Sequence, residues 1–457
     1  MAPMRAIRPE RLRPAGRPDT VGVFVEFGPA GLRPRKKSLK GRIAVGTRRS
    51  TKAGIDGKRE YPAVEEFDPE TQLIRGGLAR SPFGETSEAI YLTSGFVYET
   101  AEAAEARFKG EEPGFIYSRY GNPTVHMFEQ RLAGLEGAEM AYATATGMAA
   151  VFNGLLACVK AGDHVLASRV LFGSCFYIIA NLLPRYGIET SFVDSADPNE
   201  WANAMRPNTK VVFLETPANP TLALIDLQAI ADIAHAGGAR LLVDNALASP
   251  IVQKPMQFGA DIVVYSATKH IDGQGRCMGG AILADKAFLE TEFQPFLRHT
   301  GPSLSPFNAW VLVKGLETLA LRVERQSQTA LKLAHRIEAH GGARRTYYPF
   351  LESHPQHVLA RSQMTSGGTL VSLDLGSKSA AFAFLNALQI IDISNNLGDA
   401  KSLATHPATT THRTLPEADR LKIGIGEGLV RVSIGLESEA TLGRDFDRAL
   451  DAARAVS

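Results

Sequence analysis

An α/β fold is predicted for this chain, with a large domain on a mostly parallel sheet followed by a smaller C-terminal α/β domain. Three observations predict it. Short, nearly continuous apolar runs recur from about residue 135 onward. Helical patterns separate these runs, as the crossovers of a parallel sheet require. After residue 305 the alternation gives way to two helices and then to more widely spaced strands, the pattern of a second sheet that is antiparallel or mixed.

Taken in order, the segment Tyr117-Ser118-Arg119-Tyr120-Gly121-Asn122-Pro123-Thr124 precedes the first strand. Proline at the first helical position loses no hydrogen bond, so a helix starts near Pro123. Tyr117 and Arg119 can donate to a phosphate from this segment, or the segment is simply a polar loop that anchors the helix. Thr144-Ala145-Thr146-Gly147-Met148-Ala149-Ala150 opens a helix that runs towards Val159. Its small residues leave N–H groups at the positive helix end, which suits an anion as well as an ordinary cap. Strands are expected at His164–Ser168, Thr190–Asp194, Val211–Glu215, Arg240–Asp244 and Asp261–Tyr265, with a helix over Leu227–His235 closed by Gly237-Gly238. Ligands of such sheets gather beyond the carboxyl ends of the strands. Glu215, Asp244 and the run Ser266-Ala267-Thr268-Lys269 all stand there.

Lys269 is the most informative of these residues. An amine where a buried strand ends, with two hydroxyl residues beside it, suits condensation with a carbonyl cofactor whose phosphate the hydroxyls bind. Asp244 can pair with a protonated pyridine nitrogen, or it can cap a turn. In the second domain, helices are expected over Ala309–Arg325, the longer of the two, and over Thr329–His340. A strand at Gly368–Leu373, a helix near Lys378–Leu388 and a strand at Leu429–Ile434 follow. In that last strand Val430, Val432 and Ile434 share one face, and Leu429, Arg431 and Ser433 the other. An inward Arg431 can grip a carboxylate through two parallel hydrogen bonds, or it can serve a structural ion pair. Gly273-Gln274-Gly275-Arg276 lacks dinucleotide-loop spacing, and His270 and His406 read as polar loop residues.

Composition sets the bounds. The chain has 457 residues, 44% of them apolar and 21% charged, which is a globular balance. No apolar run approaches the ~20 residues of a membrane span. Cys158, Cys175 and Cys277 form no C-x-x-C pair, so neither a disulfide framework nor a metal site is expected, and a reducing cytoplasm is the simplest compartment. Residues 1–60 hold 16 Lys or Arg against 5 Asp or Glu, and against a total of +2 this leaves the remainder acidic. This basic arm, rich in Gly, Pro and Arg, is expected to be disordered. The acidic body argues against nucleic acid as the main partner, and nothing marks a membrane partner.

Together, Tyr117-Ser118-Arg119, Thr146-Gly147-Met148, Glu215-Thr216-Pro217-Ala218-Asn219-Pro220, Asp244-Asn245, Ser266-Ala267-Thr268-Lys269 and Arg431-Val432-Ser433-Ile434-Gly435-Leu436-Glu437 resemble the cystathionine gamma-synthase family of pyridoxal-phosphate enzymes. The resemblance covers roughly residues 70–455. A narrower likeness, to members that join sulfide to O-succinylhomoserine, is carried by Arg75-Gly76-Gly77, Phe83-Gly84-Glu85-Thr86-Ser87-Glu88 and His270-Ile271-Asp272-Gly273-Gln274-Gly275-Arg276-Cys277. The resemblance implies fold type I, with a seven-stranded sheet in the large domain. It divides the chain into an arm (1–60), an interface segment (61–125), a cofactor-binding domain (126–305) and a small C-terminal domain (306–457).

It also implies roles. Lys269 would hold pyridoxal 5'-phosphate and shuttle protons, and Asp244 would pair with the ring nitrogen. Gly147, Met148, Ser266 and Thr268 would hold the phosphate. Tyr117 and Arg119 would reach it from a neighbouring subunit of a homotetramer built from dimers, with Tyr117 also able to supply a proton. Asn219 would lie near the phenolic oxygen, and Arg431 would bind the substrate carboxylate. The implied reaction is a γ-replacement converting an O-acylhomoserine and sulfide to homocysteine, a transferase step of methionine biosynthesis. Cysteine as nucleophile, an acetyl ester, γ-elimination and a non-catalytic regulator stay open as alternatives.

Two positions depart from the family's pattern. Phe172 stands where many members stack a tyrosine on the ring, so the area is kept and the phenol lost. Asn396, in Asn395-Asn396-Leu397-Gly398, replaces a common serine; its backbone can still touch the substrate carboxylate, while its side chain has no inherited role.

Overall fold

The computed structural model describes residues 68–194 and 196–456, so the basic arm and the start of the interface segment lie outside the described residues. Seven strands form the larger sheet: β1 (Met140–Thr144), β2 (His164–Ser168), β3 (Glu189–Val193), β4 (Thr209–Glu215), β5 (Arg240–Asp244), β6 (Ile262–Ser266) and β7 (Gly280–Ala284). Their order is β1-β7-β6-β5-β4-β2-β3. The pairs β2–β3, β2–β4, β4–β5 and β5–β6 are parallel, while β7 runs antiparallel to both β1 and β6.

Alternation along each strand divides its side chains between two cores. Leu166, Val212, Leu214, Leu241, Val243 and Val263 pack with Leu227, Ile230 and Phe128 on one face. Val165, Val211, Phe213, Leu242, Ile262 and Val264 pack with Val151, Leu155 and Ile179 on the other. With both faces covered, the strands read as unbroken apolar runs. Loss of water from this area is the main term holding the domain together, at ~25 cal/mol per Å² of apolar surface.

The smaller sheet holds β8 (Arg345–Tyr347), β9 (Leu370–Asp374), β10 (Asp392–Ile393), β11 (Leu403–Thr405) and β12 (Leu429–Ser433), in the order β10-β11-β12-β9-β8. Only β10–β11 is parallel, so the sheet is mixed. Val430, Val432 and Ile434 face the helices Lys378–Ala387 and Glu439–Arg454 through Phe384, Phe446 and Leu450. Arg431 is thereby turned to the opposite side, as the strand period requires.

The helices after residue 305 differ from expectation. They are Pro306–Leu316 and Leu319–His340, and the second is the longer. The break falls at Glu317-Thr318, just after Gly315, where the first helix lies against the loop after β6. A Cβ on Gly315 would lie 2.3 Å from the Ile271 carbonyl oxygen. The chain turns there, which lets Arg322 point inward and donate to the carbonyls of His270 (2.8 Å) and Gly315 (2.8 Å). Among the described residues no helix is long and apolar enough to cross a membrane, and no group of three or more His, Cys, Asp or Glu could hold a metal ion.

Candidate active site

The end of β6, beside β5 and β4 in the sheet, meets the first turn of the helix Gly147–Cys158 at Ser266. Thr146 caps that helix, its Oγ1 accepting the Ala149 N–H at 3.1 Å. A Cβ on Gly147 would fall 2.7 Å from Ser266 Cβ and 2.8 Å from Ser266 Cα, so only glycine lets the helix end reach the Ser266 turn. Gly147, Met148 and Ser266 thus share one edge, with a helix dipole aimed at it. Thr268 is there too, but its Oγ1 already serves Gly279, accepting its N–H at 3.1 Å and donating to its carbonyl at 3.3 Å.

Lys269 follows this turn and is half-buried. Its Nζ donates to Asn396 Oδ1 at 2.6 Å. Burial, then the Arg431 charge, lowers its pKa to about 8, against an opposing pull from Asp244. Asp244 ends β5, and its Oδ1 accepts the Ala246 N–H at 3.0 Å. Burial pushes its carboxyl up to about 6. Glu215 lies opposite Asp244 in the β4–β5 register. Burial and then the Asp244 charge raise its pKa. Two carboxyl groups side by side in a dry recess resist ionising together, and a cation beside Asp244 would favour its charged form.

Arg431 is 1% exposed. It donates to Asn219 Oδ1 (2.9 Å) and to the carbonyls of Asn395 and Asn396 (3.0 Å each). Its Nε is buried with no partner in the structure. Asn396 therefore touches Arg431 through its backbone and Lys269 through its side chain. The sequence reading left that side chain without a role, and the structure gives it a partner 127 residues away. Phe172 opens the helix Gly173–Tyr177, and its N–H donates to Glu215 Oε2 at 2.8 Å.

Tyr117 and Arg119 are not brought to this cluster within one chain. Tyr117 bridges to Gly95. The Arg119 guanidinium lies over the Tyr117 and Tyr120 rings, 5.4 and 4.9 Å from their centroids, and donates to the Arg298 carbonyl. His270 and His406 are loop residues as read, yet both are buried. His270 bonds Thr369 Oγ1 (2.7 Å), and His406 the Glu427 carbonyl (2.8 Å).

Sequence reasoning missed Arg322, because one arginine on an amphipathic helix looks like part of its wet face. It also left Glu215 without a role. The available signal was a carboxylate closing an otherwise apolar strand beside Asp244.

The sequence matches the family described as Cys/Met metabolism PLP-dependent enzyme over residues 70–451. It is 52% identical over 382 residues to the O-succinylhomoserine sulfhydrylase of Mycobacterium tuberculosis, covering 82% of this chain and 94% of that one. It is 48% identical over 384 residues to the O-succinylhomoserine sulfhydrylase of Pseudomonas aeruginosa, covering 84% and 95%. Among solved structures, a Campylobacter jejuni protein carrying N'-pyridoxyl-lysine-5'-monophosphate superposes with a TM-score of 0.81 at 33% identity, over 84% of this chain and all of that one.

Proposed function

This chain belongs to the Cys/Met metabolism PLP-dependent enzyme family, and from that premise we propose that it converts O-succinylhomoserine and sulfide to homocysteine and succinate. Pyridoxal 5'-phosphate is the cofactor of this family. The residues present fit it: a helix terminus whose glycine leaves room against Ser266, a carboxyl group, Asp244, for a ring cation, and an amine that burial keeps easily neutral. In this reading Gly147, Met148, Ser266 and Thr268 hold the phosphate, Asp244 the ring nitrogen, Phe172 the ring face, and Asn219 the ring oxygen.

When bound, the cofactor supplies an aldehyde that condenses with amines and a protonated ring that accepts electrons released at Cα. Arg431 takes the substrate carboxylate and holds Cα beside Lys269. Lys269, freed by the substrate amine, removes the Cα proton, gives it up, and then, neutral again, removes a Cβ proton. The γ-ester leaves as succinate, sulfide adds at Cγ, and Lys269 returns the protons. The observation that carries this reading is that the amine and the guanidinium meet on one residue, Asn396, so base and carboxylate anchor are held together.

Phe172 favours an ester over a thioether. A carboxylate leaves without help, since its conjugate acid has a pKa of about 4, whereas a thiolate, with a thiol pKa of about 8.5, gains more from a proton donor that phenylalanine lacks. The succinyl preference rests on the two sulfhydrylase relatives. A product assay tests it. Sulfide-dependent homocysteine from O-succinylhomoserine is expected to exceed that from O-acetylhomoserine, and cysteine is expected to compete poorly with sulfide. Ammonia and a keto acid without added sulfide would instead mark a γ-lyase.

The depressed Lys269 pKa gives a second expected result. Only the neutral amine condenses with an aldehyde, and a lowered pKa makes that form dominant at lower pH than for free lysine. Reconstitution of cofactor-free protein should therefore accelerate with rising pH about a midpoint near 8. Asp244 holds that pKa up, so Asp244→Asn should move the midpoint lower. A midpoint near the ordinary lysine value of 10.5 would contradict the burial argument.

The active unit in this reading is a dimer, paired into a tetramer, in which Tyr117 and Arg119 enter the neighbour's site. Support comes from their engagement away from Lys269 in their own chain and from exposed Leu92, Val97 and Phe108 nearby. A cytoplasmic setting is supported by the three unpaired cysteines.

A further inference from the structure

Glu215 is buried, at 4% exposure, and stands beside another carboxylate, Asp244. Among the described residues no Lys, Arg or His side-chain nitrogen lies within ion-pair distance of it. Placing a carboxylate there is unfavourable unless its oxygens are used. They are used separately. Oε2 accepts the N–H of Phe172 at 2.8 Å, and Oε1 accepts the N–H of Asn219 at 3.1 Å. These two N–H groups belong to different loops, one after β2 and one after β4. Asn219 Oδ1 in turn accepts from Arg431 Nη1 at 2.9 Å. One side chain thus joins the proposed stacking residue, the proposed ring-oxygen partner and, through the latter, the proposed carboxylate anchor.

Glutamine has the same shape but only one acceptor oxygen. Its NH₂ would face one of the two N–H groups, donor against donor. The pair of acceptors is what requires a carboxylate here.

We propose that Glu215 is a positioning residue that sets the spacing between Phe172 and Asn219, and so fixes how the cofactor ring is held relative to Arg431. This rests on the reading of the site given under Proposed function. Glu215 touches neither substrate nor cofactor; it acts through the backbone of the two residues that do. With one clasp lost, the loop it held gains freedom, the ring loses its fixed tilt, and carboxylate binding is no longer tied to ring placement.

The test uses the holoenzyme of wild type and Glu215→Gln. Borohydride reduction followed by peptide mass analysis should find the cofactor on Lys269 in both. The circular dichroism band of the bound cofactor, which reports ring tilt, should weaken or change sign in the variant. Cofactor release should quicken by about tenfold and kcat should fall by about tenfold, in the range expected for one unsatisfied buried N–H. In a double-mutant cycle with Asn219→Ala the double variant should lose less than the sum of the two single losses, because Glu215 acts in part by placing the Asn219 side chain. Should Glu215→Gln not accumulate, Glu215→Asp keeps the charge but reaches only one loop, and it should give the same spectral change. An unaltered cofactor dichroism with kcat within twofold of wild type would overturn the proposal. Absence of the Lys269 adduct from the wild type would instead overturn the reading of the site, so the two failures are distinguishable.

Discussion

Lys269→Ala should lower turnover of O-succinylhomoserine with sulfide by at least about 10³-fold while leaving the fold intact. Two losses combine. The amine that anchors the cofactor is gone, and so is the base that takes the Cα and Cβ protons, a role worth ~10²–10⁴ by itself. The side chain is half-buried, and its one described hydrogen bond is to Asn396. Its removal should therefore change global stability by no more than about 1 kcal/mol. The protein should be folded by far-ultraviolet dichroism, lack the yellow colour of the lysine-bound cofactor, and be nearly inert. A coloured, active variant would remove Lys269 from the mechanism.

Arg431→Ala should fall mainly on KM. The guanidinium is buried and makes three hydrogen bonds, to Asn219 and to the carbonyls of Asn395 and Asn396. Its pKa is lowered to about 10 by burial, against the pull of Glu215, which leaves it charged throughout the working range. Truncating such a group costs ~2–5 kcal/mol in recognition of a charged partner. We expect kcat/KM to drop by ~10²–10³-fold, with steady-state kinetics assigning most of it to KM. Arg431→Lys should recover little, because an ammonium lacks the planar fork that reaches Asn219 through Nη1 and the Asn395 and Asn396 carbonyls through Nη2. Unchanged KM in both variants would exclude Arg431 from the substrate site.

How much of this was legible in the sequence depends on the range of the interaction concerned. β2, β4, β5 and β6 could be read because their apolar runs face cores on both sides, while the edge strand β3 shows only in its closing Phe192-Val193. β1 and β7, Met-Ala-Tyr-Ala-Thr and Gly-Ala-Ile-Leu-Ala, passed unremarked because alanine and glycine carry little strand signal. Lys269, Asp244 and the Gly147 turn were legible because each closes or opens a regular element. The Asn396–Lys269 bond, the split duty of Glu215 and the inward Arg322 were not. Each joins parts of the chain far apart in sequence, and no local pattern separates a buried polar contact of that kind from a wet surface. The helix break falls at Glu317-Thr318 and not near residue 327, and the nearby contact of Gly315 with the Ile271 carbonyl joins segments too far apart in sequence for a local pattern to show it.

In this mechanism Lys269 moves protons at both Cα and Cβ while the γ-substituent is exchanged. Turnover of O-succinylhomoserine with sulfide in heavy water tests it most directly, with the homocysteine analysed by NMR. The Lys269 amine exchanges with solvent, so deuterium is expected at Cα and at Cβ of the product. Homocysteine labelled at neither carbon would mean direct displacement at Cγ and would contradict it.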